Sequence, residues 1–155
     1  MKMCHGRTLQ AVLEDDPDWY YEGLFTVNDW ESNSDGTWSN ITIDYNVYPY
    51  KLAETASSVS NLVTAGETTD ILLDLGDMPV MPEITAATGG GTVQMTLYAE
   101  DGTTIKQQKT LENGTHVYDD VILVPQGSLD TCRVLLEVVS GSANTINIRY
   151  RKGML

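Results

Sequence analysis

Alternation of apolar and polar residues dominates the chain. In the segment WSNITIDYNVYP, which begins at position 38, every second residue from Ile41 to Val47 is apolar or aromatic, and the residues between them are polar. A period of two is typical of a β-strand that buries one of its faces. The pattern therefore predicts a half-buried strand in this region.

Two further strands are predicted upstream of it. RTLQAVLE alternates from position 7, and DDPD at 15–18 interrupts the pattern before Trp19. Residues 19–28 alternate less cleanly, and SNSDG at 32–36 supplies the turn into the third strand. We predict a small, incomplete three-stranded meander in residues 1–51. Such a sheet is stable only when its apolar face is covered, and its free edge favours pairing with another chain.

The composition changes after Pro49, a residue that is disfavoured inside a central strand, and a domain boundary is predicted near residue 52. Beyond it, eight short strands are separated by glycine-rich and proline-rich turns. They are predicted near 59–64, 69–75, 82–87, 92–99, 103–110, 116–124, 131–139 and 143–151. Their alternating residues predict an inward-facing set: Val93, Met95, Leu97, Val134, Leu136, Val138, Ile146, Ile148 and Tyr150. The fold class is therefore predicted to be all-β, with an antiparallel β-sandwich in residues 52–155.

Charge and cysteine content restrict the class of protein. The 155 residues carry a net charge of -13, which disfavours nucleic acid and anionic membrane surfaces as partners. No apolar run approaches the length of a membrane span, and the first residues lack the pattern of a signal peptide. Cys4 and Cys132 lie far apart, so a disulfide framework is not expected. We expect synthesis as a soluble cytoplasmic protein and no membrane insertion.

Four segments, in order, resemble one family. LEDDPDWYYEGLFTVNDWES (13–32), running on into WSNITIDYNVYPYK (38–51), is similar to the closing strands of the N-terminal domain in the distal tail protein (Dit) family of siphophages, especially phages and prophages of Gram-positive bacteria. LGDMPVMPEIT (75–85) resembles the opening of that family's C-terminal domain, and NTINIRYRKGML (144–155) resembles its closing strand. The resemblance covers nearly the whole chain.

The resemblance implies a specific organisation. Family members form hexameric rings through the N-terminal domain and connect the tail tube to baseplate or fibre proteins. Their C-terminal domain is a galectin-like β-sandwich, similar in fold to carbohydrate-binding modules. Residues 1–51 would be a partial ring domain, with Met1 entering at a helix late in that domain, and residues 52–155 the galectin-like sandwich. The earlier half of the ring domain has no counterpart in this chain.

An aromatic group is the candidate oligomer or ligand surface. Its members are Trp19, Tyr20, Trp30 and Trp38. Flat aromatic rings stack on sugars, but rings in a hairpin also form cross-strand pairs, and Trp and Tyr are enriched at subunit interfaces. Packing or an interface with another subunit is the favoured interpretation.

Metal and catalytic sites are not expected. Asp15, Asp16 and Asp18 could offer oxygen ligands to a cation, but Pro17 stiffens this segment. A solvated turn is the favoured interpretation. A zinc site would require the two domains to bring together Cys4, His5, His116 and Cys132. Asp119 and Asp120 are adjacent in a predicted strand and would point to opposite faces, which excludes joint action on one glycosidic bond. The sequence contains no motif for a catalytic nucleophile or a phosphate-binding loop, and TGGG at 88–91 is interpreted as a hairpin loop. No cofactor is expected.

The sequence therefore predicts a non-enzymatic structural component of a phage or prophage tail tip. It would be a homo-oligomer that also binds other tail or baseplate proteins and resides in the virion tail. The alternative is a carbohydrate-binding module that recognises host cell-wall glycans.

Overall fold

The computed structural model describes residues 6–37, 39–126, 130–142 and 144–155, with Trp30 described by its backbone alone. The expected helical start lies in residues 1–5, outside the described residues. All regular elements in the described ranges are β-strands, so the all-β prediction is confirmed. Across these ranges there is no helix long and apolar enough to span a membrane.

Twelve strands follow one another in the described ranges. They are β1 (Arg7–Leu13), β2 (Asp16–Ser32), β3 (Ser39–Ala53), β4 (Ser57–Val63), β5 (Thr68–Asp74), β6 (Glu83–Ala87), β7 (Thr92–Tyr98), β8 (Ile105–Leu111), β9 (Gly114–Val117), β10 (Thr131–Ser140), β11 (Asn144–Tyr150) and β12 (Gly153–Met154). The chain divides into two compact units, residues 1–54 (unit 1) and residues 55–155 (unit 2).

Unit 1 contains the antiparallel meander β1-β2-β3. β3 is longer than the alternation predicts, because it continues through Pro49 to Ala53. The pairing shows how the sheet accommodates this proline. Val47 pairs with Gly23 and Lys51 pairs with Tyr21, so three residues of β3 bulge opposite one residue of β2. Proline is tolerated in a bulge because no ladder hydrogen bond is lost there.

Unit 2 is built from two four-stranded antiparallel sheets, ordered β5-β10-β7-β8 and β4-β11-β6-β9. Their inward side chains form one continuous hydrophobic core. All nine residues predicted to face inward belong to this core, and each is at most 5% exposed. The predicted β-sandwich is confirmed, because a period of two in a strand covered on one side identifies the buried face directly.

The predicted strand at 116–124 is wrong in its extent, since β9 ends at Val117. The following residues leave the sheet and cover the inward side of the edge strand β8. There, the Lys109 ammonium binds the Asp120 carboxylate at 2.8 Å and lies 4.8 Å from the centre of the Tyr118 ring. Lys109 lowers the pKa of Asp120 by hydrogen bonding to it. An inward-facing charge on an edge strand needs such a partner, and it also discourages pairing at that edge.

Replacement of a core residue in unit 2 tests the sandwich. We expect Leu136→Ala to reduce the free energy of unfolding by about 2 to 5 kcal/mol, because Leu136 is fully buried between the sheets. Leu72→Ala is the matched control: Leu72 is 69% exposed, and its replacement should change stability by less than about 0.5 kcal/mol. Urea unfolding followed by circular dichroism measures both. Equal effects of the two substitutions would contradict this packing.

Candidate assembly surface

The sheet of unit 1 has one apolar and one polar face. In the pairing of β2 with β3, Phe25 lies opposite Tyr45 and Val27 lies opposite Ile43. Alternation along the strands places these residues on one face, which we name the apolar face. Its apolar members are Leu9, Ala11, Tyr21, Phe25, Val27, Ile41, Ile43, Tyr45 and Val47. Arg7 on β1 pairs with Phe25 and lies on the same face.

Much of the apolar face is open to solvent. Ile41, Ile43 and Val47 are 44%, 48% and 42% exposed. Among the described residues of unit 1, Tyr20 is the only apolar side chain that is buried, and every other buried apolar side chain belongs to unit 2. The alternation of β3 therefore predicts its apolar side correctly, but the expected half-burial does not describe these three residues.

Tyr45 ties the three strands together across the apolar face. Its ring centre lies 4.0 Å from that of Phe25. Its hydroxyl group lies 2.5 Å from the Tyr21 carbonyl oxygen on β2 and 3.2 Å from the Leu9 carbonyl oxygen on β1. Burial of the ring raises the pKa of Tyr45, so the hydroxyl stays protonated and donates to these carbonyl groups.

Gly23 allows the close approach of β3 at the centre of the sheet. A Cβ atom added to Gly23 would lie 2.1 Å from the Asn46 carbonyl oxygen, a distance that no side chain tolerates. The bulge opposite Glu22 begins beside this contact. Glycine is therefore required here for steric reasons, and it fixes the position of β3 against β2.

The opposite face of the same sheet is mainly polar. The Gln10 side chain donates to the Glu22 carboxylate at 3.5 Å, and Asn28 donates to the Asp44 carboxylate. Leu24 also lies on this face and is 44% exposed. The carboxylates of the central parts of β2 and β3 are thus separated from the apolar face.

An ion pair closes one end of the sheet. The Lys51 ammonium on β3 binds the Asp16 carboxylate at the start of β2 at 2.5 Å and lies 5.3 Å from the centre of the Trp19 ring. The hydrogen bond that Lys51 donates to Asp16 raises the pKa of Lys51. The contact of the Lys51 ammonium with the Trp19 ring is a cation–π interaction.

The four aromatic candidates have different positions. Trp19 is partly buried beside Lys51, and Tyr20 is 3% exposed. As successive residues of β2, these two side chains point to opposite faces of the sheet. The backbone of Trp30 pairs with Ile41, and Trp38 lies outside the described residues. A common surface formed by these four residues stays a prediction.

The candidate metal ligands are occupied or separate in the described structure. Asp16 binds Lys51, the His116 ring contacts the Asn113 carbonyl oxygen at 3.1 Å, and Cys132 is a buried free thiol whose pKa is raised by burial. Cys4 and His5 lie outside the described residues. In the part of the chain that the structure describes, no three His, Cys, Asp or Glu side chains group as a metal site.

Unit 2 has an open cavity of about 420 Å³ next to the β7–β8 turn, lined by Ala99, Glu100, Asp101, Lys106 and Val124. The acidic residue of this turn, Asp101, forms hydrogen bonds within the turn itself. Asp101 accepts hydrogen bonds from the backbone N–H groups of Thr103 and Thr104 at 2.9 and 2.8 Å and from the Thr104 hydroxyl, and these lower the pKa of Asp101 to about 2. The Asp101 carboxylate therefore stabilises the turn.

Arg133 on β10 holds the same turn from the neighbouring strand. Its guanidinium group binds the Asp70 carboxylate through two nitrogen atoms, donates to the Gly102 carbonyl oxygen at 3.2 Å and lies 4.6 Å from the Tyr98 ring centre. These contacts fix the turn that borders the cavity.

The sequence did not identify Tyr45, Gly23 or Lys51 as important positions. Tyr45 was expected only as one member of an alternating face. A glycine inside a strand pattern is a recognisable signal for a bulge or a close backbone approach, so Gly23 offered the one available clue.

Comparison with known proteins gives one informative match. No protein-family model and no curated protein matches the sequence. Among solved structures, the chain is similar to SPP1 Dit (gp 19.1), described as a paradigm of the hub adsorption apparatus in phages that infect Gram-positive bacteria. The TM-score is 0.53 and the sequence identity is 17%, over 99% of this chain and 68% of the SPP1 Dit chain.

The chain has a Dit-like fold. At 17% identity the match is evidence for the fold alone. The four segments that resemble the Dit family imply the same fold. The galectin-like character of unit 2 stays a prediction.

Removal of one hydroxyl group tests the role of Tyr45 in this Dit-like chain. We expect Tyr45→Phe to reduce the stability of unit 1 by about 1 kcal/mol, because the carbonyl oxygens of Leu9 and Tyr21 lose their donor. All three tryptophans lie in unit 1, so Trp fluorescence during urea unfolding reports on this unit. Tyr48→Phe is the matched control, since Tyr48 is 51% exposed. Equal losses in both variants would refute the role of the hydroxyl.

Proposed function

We propose that this chain is a non-enzymatic structural component of a phage or prophage tail tip. It assembles by subunit pairing and serves as an attachment hub for baseplate or fibre proteins in the virion tail, after synthesis in the cytoplasm of the bacterial host. The observation that carries the proposal is the open apolar face of unit 1.

The contrast between the two units supports an assembly role. Unit 2 closes its apolar residues between two sheets and has a complete core. The three strands of unit 1 contain 39 residues, yet Ile41, Ile43 and Val47 are each more than 40% exposed. A contiguous exposed apolar surface on an otherwise acidic protein is typical of a binding interface. Unit 1 is therefore the assembling part, and unit 2 is the part presented for attachment or recognition.

The Dit-like fold gives this assembly role its context. SPP1 Dit is described as a hub adsorption protein, and we extend a hub role to this chain on the basis of fold and of the four resembling segments. The net charge of -13 agrees with protein partners and opposes binding to nucleic acid.

Localisation on phage particles tests the proposal. Antibodies against the purified chain, applied to particles released by the bacterium that carries the gene, should label the distal end of the tail in immunogold electron microscopy. Antibodies adsorbed with the purified chain provide the control. Label confined to capsids, or particles without label although the protein is expressed, would overturn the proposal.

A carbohydrate-binding role is the second candidate, and one surface favours it. The pairing of β4, β11, β6 and β9 aligns four uncharged polar residues, Ser60, Asn147, Thr85 and Thr115, in one row across the sheet of unit 2. Asn147 in this row donates a hydrogen bond to the Ser58 hydroxyl, which lies beside the row. The hydroxyl groups of Thr85 and Thr115, both in the row, lie 2.9 Å apart. Neutral hydroxyl and amide groups match the chemistry of a glycan.

Binding to purified cell-wall glycans distinguishes the two functions. If assembly is the function of the chain, binding should be non-saturable and unchanged in Asn147→Ala. Saturable binding that falls at least about tenfold in Asn147→Ala, but not in the control Gln94→Ala on the other sheet of unit 2, would favour the carbohydrate-binding role.

A further inference from the structure

We propose that the free edge of β4 (Ser57–Val63) binds an extended strand of another protein, and that basic residues flank this strand. The bound strand extends the sheet β4-β11-β6-β9 of unit 2 by one member. The proposal names a partner for the attachment role of unit 2 and in that respect rests on the proposed function.

One side of β4 has no partner strand. Among the described residues, β4 is the terminal strand of its sheet and pairs with β11 alone. Its seven residues pair in unbroken register, from Ser57 opposite Tyr150 to Val63 opposite Asn144. On the outer side of a terminal strand, every second residue has a backbone N–H and C=O group without a partner in the sheet. These groups are a template for a further strand.

The other three edges of the sandwich are protected. β5 carries two acidic residues, Asp70 and Asp74, and both form ion pairs. β8 carries Lys109 on its inward side, and its register against β7 shifts. β9 has only four residues. Charge, irregular pairing and short length each discourage pairing with another strand. Among the edges that the structure describes in this sandwich, β4 alone has none of these features.

The side chains of β4 suit an uncharged neighbour. Alternation from the buried Val63 places Ser58, Ser60 and Leu62 on the outer face of the sheet, where all three are exposed, Leu62 by 65%. On the inner face, Val59 packs against the hydrophobic core. An incoming strand therefore finds uncharged side chains on both faces of β4, with an apolar one on each. Cross-strand pairs of this kind stabilise a sheet.

Charge selects the kind of strand. No charged residue occurs between Glu54 and Glu67, and these two exposed acids border the segment that contains β4. Residues 55–155 contain twelve acidic and six basic residues, a net charge of -6. A strand with an uncharged centre and with Lys or Arg at both ends matches this arrangement, because its cations lie near the two bordering acids.

A second copy of this chain is a less favourable occupant. Antiparallel pairing of β4 with the same strand of another copy would bring Glu54 of each copy to the end at which Glu67 of the other lies. Like charges at such positions are destabilising. Two copies, each with a net charge of -13, also repel one another at long range. The occupant is therefore a strand of a different protein.

A synthetic strand tests the proposal. The probe is a peptide of alternating Thr and Val residues, as long as β4, with paired Lys residues at both ends. Calorimetric titration of the full chain at about 150 mM salt should show saturable binding with a dissociation constant on the order of 100 µM. Replacement of the Lys residues by Glu should weaken binding at least about tenfold. A central Pro should have a similar effect, because Pro lacks an N–H group for pairing.

A matched pair of variants locates the binding site. Ser60 and Thr115 are exposed and stand at the two ends of one row, Ser60 on β4 and Thr115 on β9. Ser60→Lys should weaken binding of the Lys-flanked peptide at least about tenfold, because it places a cation at the centre of the free edge. Thr115→Lys adds the same charge and should change the dissociation constant less than about threefold. In the wild-type chain, the peptide should slow amide hydrogen exchange in residues 57–63 and leave residues 114–117 unchanged.

Specific results would overturn the proposal. These are no saturable binding of the Lys-flanked peptide, equal binding of the peptide with a central Pro or with Glu ends, and equal effects of Ser60→Lys and Thr115→Lys. Self-association of the chain that Ser60→Lys abolishes would also do so, since a second copy would then occupy the edge. A chain that labels phage tails but does not bind the peptide would refute the strand partner alone. Peptide binding by a chain that is absent from tails would refute the tail function alone.

Discussion

A sheet whose strands alternate apolar and polar residues must have a second layer over its apolar side, because exposed apolar area is unfavourable in water and backbone pairing alone does not stabilise a small sheet. Unit 2 meets this requirement internally. Leu73, Met95 and Leu136, for example, are completely buried in its core. Unit 1 has the same alternation, but Ile43 is 48% exposed. The two units of one chain therefore differ in how far their apolar side chains are covered.

The meander of unit 1 nevertheless has internal features that define one conformation. Gly23 allows close approach of β3, the bulge accommodates Pro49, and the Tyr45 hydroxyl reaches carbonyl groups of both other strands. Each feature fixes the register, and register determines which side chains share a face. An assembling surface benefits from such preorganisation, because little conformational entropy is then lost when a partner binds.

Period-two alternation was sufficient to predict the all-β class and the buried residues of β7, β10 and β11. It could not predict the end of β9, because the residues after Val117 leave the sheet and bury Val121 and Leu123 in the core, with Leu123 paired to Val80. It also could not predict the exposure of Ile41, since alternation identifies an apolar side and contains no information on what covers it. The candidate aromatic surface was selected by residue type, whereas the apolar face follows from the pairing of strands.

This strongly acidic chain keeps the carboxylates at the centre of unit 1 away from its apolar side chains. In unit 1 the acidic groups within the central strands lie on the polar face, where Gln10 and Asn28 bind them. Among the described residues of unit 2, Lys109, Arg133, Arg149 and Lys152 form ion pairs with carboxylates, including Arg133 with Asp70 and Lys109 with Asp120. The remaining negative charge keeps copies apart at long range, and salt screens it over about 10 Å. Contact between this chain and any other acidic protein should therefore become more favourable as ionic strength rises.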